Sequence, residues 1–227
     1  MTNRRRILVF DVNETMLDVD ALTPHFVEAF GHADTAREWF TTVLHYSTVA
    51  TLAGPYAQFG AIADAALTMV AESRRVSLAP ELRDRILGGF RSLPAHPDVR
   101  PALETLRSHG FRLVTLTNSA SGAVAQQLAN AGLADCFERS FSVDAVERFK
   151  PAPEPYLQVA RQLGVAVGDL RLVAAHAWDV VGALRAGCLA AFVARPGKVL
   201  FPLGPTPDIV APDCLAVARV IVERDTQ

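Results

Sequence analysis

The chain predicts an α/β fold, a doubly wound and mostly parallel sheet with an inserted all-helical cap, and three observations predict it. The first is the apolar run Ile7-Leu8-Val9-Phe10, which passes straight into Asp11 and the polar turn Val12-Asn13-Glu14-Thr15. Four apolar residues without alternation suit a strand buried on both faces, and Asp11 then stands at its carboxyl end, where open α/β sheets bind ligands. The second is the texture after Pro97, where strand-like and helix-like segments alternate. The third is residues 20–93, which carry helical patterns and no convincing strand.

The elements follow in order. The first strand holds residues 7–10. Helical spacing then appears at 24–30, 37–51, 56–70 and 79–90, punctuated by Gly31, Gly54-Pro55 and Gly88-Gly89. Strands are predicted at 112–116, 141–143, 170–174 and 190–193, and helices at 98–108, 121–131, 154–163, 178–186 and 213–223. Phe201-Pro202-Leu203-Gly204-Pro205-Thr206-Pro207 reads as a rigid loop. The helical block is thus inserted after the first strand, with a core of residues 1–16 and 95–227 and a cap of residues 17–94. A length of 227 residues exceeds the ~100–150 of a typical domain, which suits one core plus a substantial insertion.

Composition narrows the function. A net charge of −2 argues against a nucleic-acid partner. No run approaches the ~18 apolar residues of a membrane span. The Arg4-Arg5-Arg6 triplet is followed by only four apolar residues, too few for a secretory h-region of ~7–15. The cysteines at 136, 188 and 214 form neither a disulfide framework nor a metal spacing. Buried thiols in a reducing cytoplasm are the expectation.

A bare carboxylate at a strand end is a candidate nucleophile. Taken alone, Asp11 could equally cap the turn after its strand. The surrounding sequence resembles the first motif of the haloacid dehalogenase superfamily, in which a strand-end Asp attacks the substrate and a Thr four positions later hydrogen-bonds it. Asp11 and Thr15 match that pattern. Leu113-Val114-Thr115-Leu116-Thr117-Asn118-Ser119 resembles the second motif, Lys150-Pro151 the third, and Ala174-Ala175-His176-Ala177-Trp178-Asp179 the fourth. Four motifs in order make a specific signal. The resemblance implies a Rossmann-like core whose strand ends are closed over by the helical cap, which suits a reaction that controls water.

Missing residues select a branch. Phosphatases of this superfamily resemble Asp-x-Asp in the first motif and carry a further Asp in the fourth to hold magnesium. Here Asn13 stands at the acid position and Ala174-Ala175 replace the metal-binding pair. An amide cannot serve as a carboxylic acid does, and methyl groups cannot hold a hard cation. Halide leaves as a stable anion and needs neither. The chain is therefore more similar to the L-2-haloacid dehalogenases, which displace halide through an Asp ester with no metal and no cofactor. That likeness implies a small haloacid as substrate; homodimers are common in the branch, although no stretch of this chain identifies an interface. A phosphatase of the same superfamily and a non-catalytic binder of small acids are the alternatives.

Roles carried over from the resemblance fall on matching positions. Lys150 is the expected counterion of Asp11, since an ammonium within about 4–6 Å lowers a carboxylate pKa. Tyr156 matches a tyrosine of the same cluster, and could otherwise be a plain core or surface aromatic. Val12, Asn13, Thr117, Asn118 and Ser119 are candidates for holding the substrate anion, with simple N-capping by Ser119 or Ser121 as the alternative for the last group.

Two departures from the dehalogenase pattern are informative. Asn13-Glu14 replaces Tyr-Gly in the first motif, and His176 replaces Asn in the fourth. Glu14 and His176 each follow a strand, and the superfamily's strand order sets those strands side by side. A carboxylate orienting an imidazole that deprotonates water is a recurring hydrolytic pair, so His176 is expected to activate water and Glu14 to orient it, with a His that only hydrogen-bonds within the turn as the alternative. Asp179 then anchors Lys150, or is itself the base. The second departure is in the cap, where Trp39-Phe40-Thr41-Thr42 replaces Trp-Arg-Gln-Lys. Phe40 cannot bind an anion. Arg37, on the same helical face, is the substitute, with His45 a weaker donor. Phe40, Phe59 and Trp178 are expected to line an apolar pocket, although each could be ordinary packing.

Overall fold

The computed structural model describes residues 6–225. Arg4 and Arg5 of the basic triplet lie outside the described residues. Six parallel strands form one sheet: β1 (Ile7–Phe10), β2 (Arg112–Thr117), β3 (Arg139–Ser142), β4 (Leu170–Ala174), β5 (Leu189–Val193) and β6 (Ile209–Ala211), in the order β3-β2-β1-β4-β5-β6. Successive residues of β1 point to opposite faces of the sheet. Leu8 and Phe10 join the apolar cluster beneath helices α5 (Val99–Ser108), α6 (Ser121–Asn130) and α9 (Cys214–Asp225). Ile7 and Val9 join the opposite cluster, beneath α7 (Pro153–Leu163) and α8 (Ala177–Ala186). Both faces are covered, which is why the strand is apolar throughout.

Strand order sets the place of chemistry. The chain winds from β1 toward β2 and β3, then crosses to β4 on the other side, so the carboxyl ends of β1 and β4 flank a topological switch point where a crevice opens. Phe10 is registered with Thr115 on one side and Val173 on the other. Asp11 donates its N–H to the Val173 carbonyl at 3.1 Å. The nucleophile candidate therefore sits at the head of the crevice.

Between β1 and α5 the chain forms a 3-10 turn (Val19–Leu22) and helices α1 (Thr23–Phe30), α2 (Thr35–Ala53), α3 (Phe59–Ser73) and α4 (Pro80–Gly89). These pack around the rings of Phe26, Trp39, Phe40, Phe59 and Phe90, and the Trp39 indole N–H is satisfied by the Ala63 carbonyl at 2.9 Å. Where this block leaves and rejoins the sheet the two passages run side by side: Leu17 bridges Ala95, Asp18 N–H donates to the Pro94 carbonyl, and His96 N–H to the Met16 carbonyl. Tyr56 donates to Asp144 and Phe149 N–H to Thr51 Oγ1, tying the helical block to the sheet domain.

Three elements depart from expectation. The strand expected at 141–143 is Arg139–Ser142; Arg139 and Ser140 are exposed on the sheet edge, so its start lacks apolar patterning. The helix expected from residue 56 begins at Phe59. Strand β6 was not anticipated: three residues between Pro207 and Pro212 are too short to show a period, and Val210 is half exposed. Among the described residues no helix is long and apolar enough to cross a membrane.

Candidate active site

Asp11 is almost fully buried, and each of its oxygens is assigned. Oδ1 accepts from Lys150 Nζ at 2.8 Å. Oδ2 accepts from the Thr15 hydroxyl at 2.6 Å and faces His176 Nδ1 at 3.0 Å. Thr15 is held in turn by the Ala175 N–H at 2.9 Å. Burial alone would raise the Asp11 pKa, but Lys150 and His176 outweigh it and hold the carboxyl well below the usual carboxylate range. The side chain is ionised, desolvated and held through both of its oxygens.

Lys150 lies between two acids. Its ammonium donates to Asp179 Oδ2 at 2.6 Å and to the Leu116 carbonyl at 3.0 Å besides Asp11. Burial would lower its pKa, yet the flanking carboxylates raise it, so the amine stays charged. Asp179 is fully buried; Tyr156 donates to its Oδ1 at 2.5 Å, and burial pushes its pKa up against the pull of Lys150. Both Asp179 oxygens are thus committed, one to Lys150 and one to Tyr156. The ammonium also fills the space between Asp11 and Asp179 where a cation shared by two carboxylates would sit. Gly182 permits this packing: a Cβ there would lie 2.7 Å from the Tyr156 hydroxyl and 2.6 Å from Pro151.

On the other side of Asp11, His176 Nε2 meets Glu14 Oε2 at 2.6 Å, and Glu14 Oε1 meets Lys198 Nζ at 2.7 Å. Burial would depress the imidazole, but Asp11 and Glu14 raise its pKa to about 9. At neutral pH His176 is therefore an imidazolium that donates from both nitrogens. Burial would raise the Glu14 pKa, but His176 and Lys198 hold it down. Glu14 adopts φ 59°, the left-handed region, where the dehalogenase pattern has Gly. A non-glycine residue there carries roughly 1–2 kcal/mol of strain, offset here by the two side-chain contacts and by its N–H bond to the Leu17 carbonyl.

A cavity of about 680 Å³ opens beside this row of charges, between the strand ends and helix α2. Glu14, Asn118, Lys150, Ala175, His176 and Trp178 line it from the sheet domain, and Arg37, Phe40, Leu44 and His45 from α2. Trp178 lies against the imidazole with ring centroids 4.9 Å apart. Arg37 stands exposed in the wall, where its charge faces the cavity. Asn118 lines the cavity and its Oδ1 accepts the Lys150 N–H at 3.0 Å.

Other expected residues lie behind the surface. Phe59 does not line the cavity; it packs under Phe40 and against Phe149. The side chain of Val12 is core. Asn13 points away: its amide donates to Ser119 Oγ at 3.1 Å and accepts from Gln127 at 3.1 Å, bracing the turn. Thr117 Oγ1 accepts the Ser119 N–H. Neither Ser119 nor Ser121 caps α6, whose N-cap is Ala120 without a side-chain bond.

Two residues escaped the sequence reading. Lys198 ends the charge row, and Arg195 donates to the Thr15 carbonyl at 2.9 and 2.7 Å while pairing with Asp98. Both follow β5, and the only available signal was that position at the carboxyl edge of the sheet.

Comparison with known proteins agrees with this geometry. A family model described as hydrolase, haloacid dehalogenase-like hydrolase, matches residues 6–187. (S)-2-haloacid dehalogenase 2 of Pseudomonas sp. (strain CBS-3) is 30% identical over 90% of each chain. (S)-2-haloacid dehalogenase 4A of Burkholderia cepacia is 29% identical over 87% of each. Among solved structures, L-2-haloacid dehalogenase from Xanthobacter autotrophicus with chloropropionic acid covalently bound superimposes with a TM-score of 0.89 at 26% identity, covering 96% of this chain and 98% of that one. On its motifs, its sheet and these matches, the chain belongs to the haloacid dehalogenase-like hydrolases.

Proposed function

We propose that the protein is a hydrolytic dehalogenase that converts short (S)-2-haloalkanoic acids into 2-hydroxy acids and halide through an ester on Asp11. The observation that carries this reading is the Asp11 carboxylate itself, buried and ionised, with the Lys150 ammonium held between it and Asp179. The likeness to relatives that act on (S)-2-haloacids, and to a structure holding chloropropionic acid covalently, supports the choice of substrate.

In the first step an Asp11 oxygen attacks C2 from the face opposite the halogen. The C–O bond forms, the C–X bond breaks with its electron pair on halide, and the centre inverts. Lys150 and Thr15 orient the attacking carboxylate. Arg37, in the cavity wall, supplies a cation for the substrate carboxylate or the departing halide, while Phe40 and Trp178 give an apolar wall. Residues 17–94 act as the cap and residues 1–16 and 95–227 as the core.

In the second step water adds to the Asp11 ester carbon. The resting imidazolium cannot accept a proton, so the order of events matters. Alkylation removes the Asp11 charge, one of the two anions that hold the His176 proton. The Nδ1 proton then leaves to solvent, Nε2–H stays on Glu14, and the freed Nδ1 takes a proton from water. Collapse of the adduct expels the 2-hydroxy acid oxygen, which takes that proton; the second proton of the water passes from the new Asp11 carboxyl to Nδ1, restoring the carboxylate and the imidazolium. The sum is haloacid plus water giving hydroxy acid, halide and one proton. General-base help of this kind contributes roughly 10²–10⁴-fold.

Three buried, unpaired thiols are compatible with a reducing cytoplasm. A homodimer also belongs to this reading; exposed Tyr46, Val49 and Leu52 on α2 offer apolar surface for a second copy. The test is halide release from chloroacetate and both enantiomers of 2-chloropropionate in EDTA. The proposal expects release in chelator with preference for the S enantiomer. Magnesium-dependent phosphate release from an aryl phosphate would replace it with the phosphatase alternative, and silence toward every acid with the binder.

A further inference from the structure

The side chains around the nucleophile form one unbroken row of alternating charge: Asp179, Lys150, Asp11, His176, Glu14 and Lys198, each 2.6–3.0 Å from the next. Five of these have a role in the reaction proposed above. Lys198 has none, yet it is built into place. It follows the tight turn Arg195-Pro196-Gly197, closed by its own N–H to the Arg195 carbonyl at 2.9 Å. Arg195 is itself pinned to the nucleophile turn through the Thr15 carbonyl and to the start of α5 through Asp98. The loop that carries Lys198 is thereby fixed relative to the turn that carries Glu14. Its side chain is about a quarter exposed, whereas the next residue, Val199, is largely exposed.

We propose that Lys198 is a positioning residue for the hydrolytic step: by holding Glu14 Oε1 it directs Oε2 onto His176 Nε2 and limits how firmly Glu14 retains the imidazolium proton. Glu14 sits on a strained backbone, and a carboxylate held by one partner alone would be free to rotate. Two cations, one on each oxygen, fix its plane. The second consequence is electrostatic. A cation beside Glu14 disfavours the charged imidazole, so it works with the loss of the Asp11 charge to release the Nδ1 proton once the ester has formed. The other groups that face this pair are Asp11 from the end of β1, Lys150, with Asp179 behind it on α8, and His96, which bonds the Glu14 backbone beside Arg195. Across the cavity stand Arg37, His45 and Asp20 from the cap.

The inference rests on Glu14 and His176 acting as proposed, and the experiment separates the two. Single-turnover hydrolysis of the Asp11 ester formed from (S)-2-bromopropionate is followed by intact mass across pH 5–9.5 in wild type, Lys198→Met, Lys198→Arg and His176→Ala. Halide release is recorded alongside. Losing the cation raises the pKa of the imidazole in the ester, so the acid limb of the Lys198→Met hydrolysis profile moves to higher pH. A displacement of half to one unit slows hydrolysis at pH 7 by about three- to tenfold. Halide release changes by less than hydrolysis, and Lys198→Arg restores the midpoint. An unmoved midpoint, or a uniform loss at every pH, while His176→Ala still accumulates ester, overturns the role of Lys198 alone. Normal turnover in His176→Ala overturns the hydrolytic pair itself.

Discussion

The two sides of Asp11 are built from the same parts, a carboxylate facing a cation that faces another carboxylate, and they differ in contact with water. On one side Lys150 and Asp179 have no exposed side-chain surface. On the other, Glu14 is 21% and Lys198 27% exposed beside the cavity. On the dry side Lys150 stays charged because its two flanking carboxylates raise its pKa. The wet side contains His176, whose pKa of about 9 lies close enough to neutrality for its proton to be moved. In the proposed reaction the two halves divide the labour: the closed half fixes the nucleophile, and the half that ends on partly exposed Glu14 and Lys198 moves protons.

Breaking the dry half has the largest expected effect. Lys150→Met leaves Asp11 and Asp179 buried without their shared cation, so stability falls by about 3–5 kcal/mol and alkylation is lost. Urea denaturation with a halide assay checks both. A fully active Lys150→Met would show that the ammonium does not sustain the nucleophile.

Breaking the wet half should instead spare the first step. His176→Ala gives a stoichiometric halide burst followed by turnover about 10²–10⁴-fold slower, with Asp11 ester visible by intact mass. Equal loss of burst and turnover would mean that the two halves are not separable in this way.

Stability against pH sharpens the contrast. The folded-state pKa of His176 is raised above its unfolded value, so its contribution is complete below about pH 6.5 and is lost as pH rises through about 9; the window is worth at most about 3 kcal/mol. The urea midpoint should fall between pH 6.5 and 9.5 in wild type and change less in His176→Asn. The dry half predicts no such slope in that range.

The smallest effect is expected at the cavity wall. Arg37→Leu removes an exposed cation, so KM for 2-chloropropionate rises by up to about fivefold with kcat little changed. No change in KM would leave Arg37 as a solvated surface residue.

How much of this could be seen in the sequence follows from the same contrast. Strand ends are legible because a strand buried on both faces must stop where polar chemistry begins, which exposed Asp11, Asn118 and His176. The side-by-side placement of Glu14 and His176 needed only the order of β1 and β4. Lys198 and Arg195 were invisible because they sit in a loop with no pattern, positioned by partners at least 180 residues away in sequence. Phe59 was misplaced because helical spacing shows which residues are apolar but not which layer of the cap they occupy. The direction of Asn13, inward to Gln127 instead of toward substrate, depends on a helix that lies far along the chain.

The central claim is that Asp11 forms the bond to carbon and that water later attacks the side chain. One turnover in heavy-oxygen water with enzyme in excess over (S)-2-chloropropionate tests it. The expected result is heavy oxygen in the Asp11 carboxylate and unlabelled product hydroxyl. Label in the product with none in Asp11 would mean that water displaces halide directly, and would contradict the account.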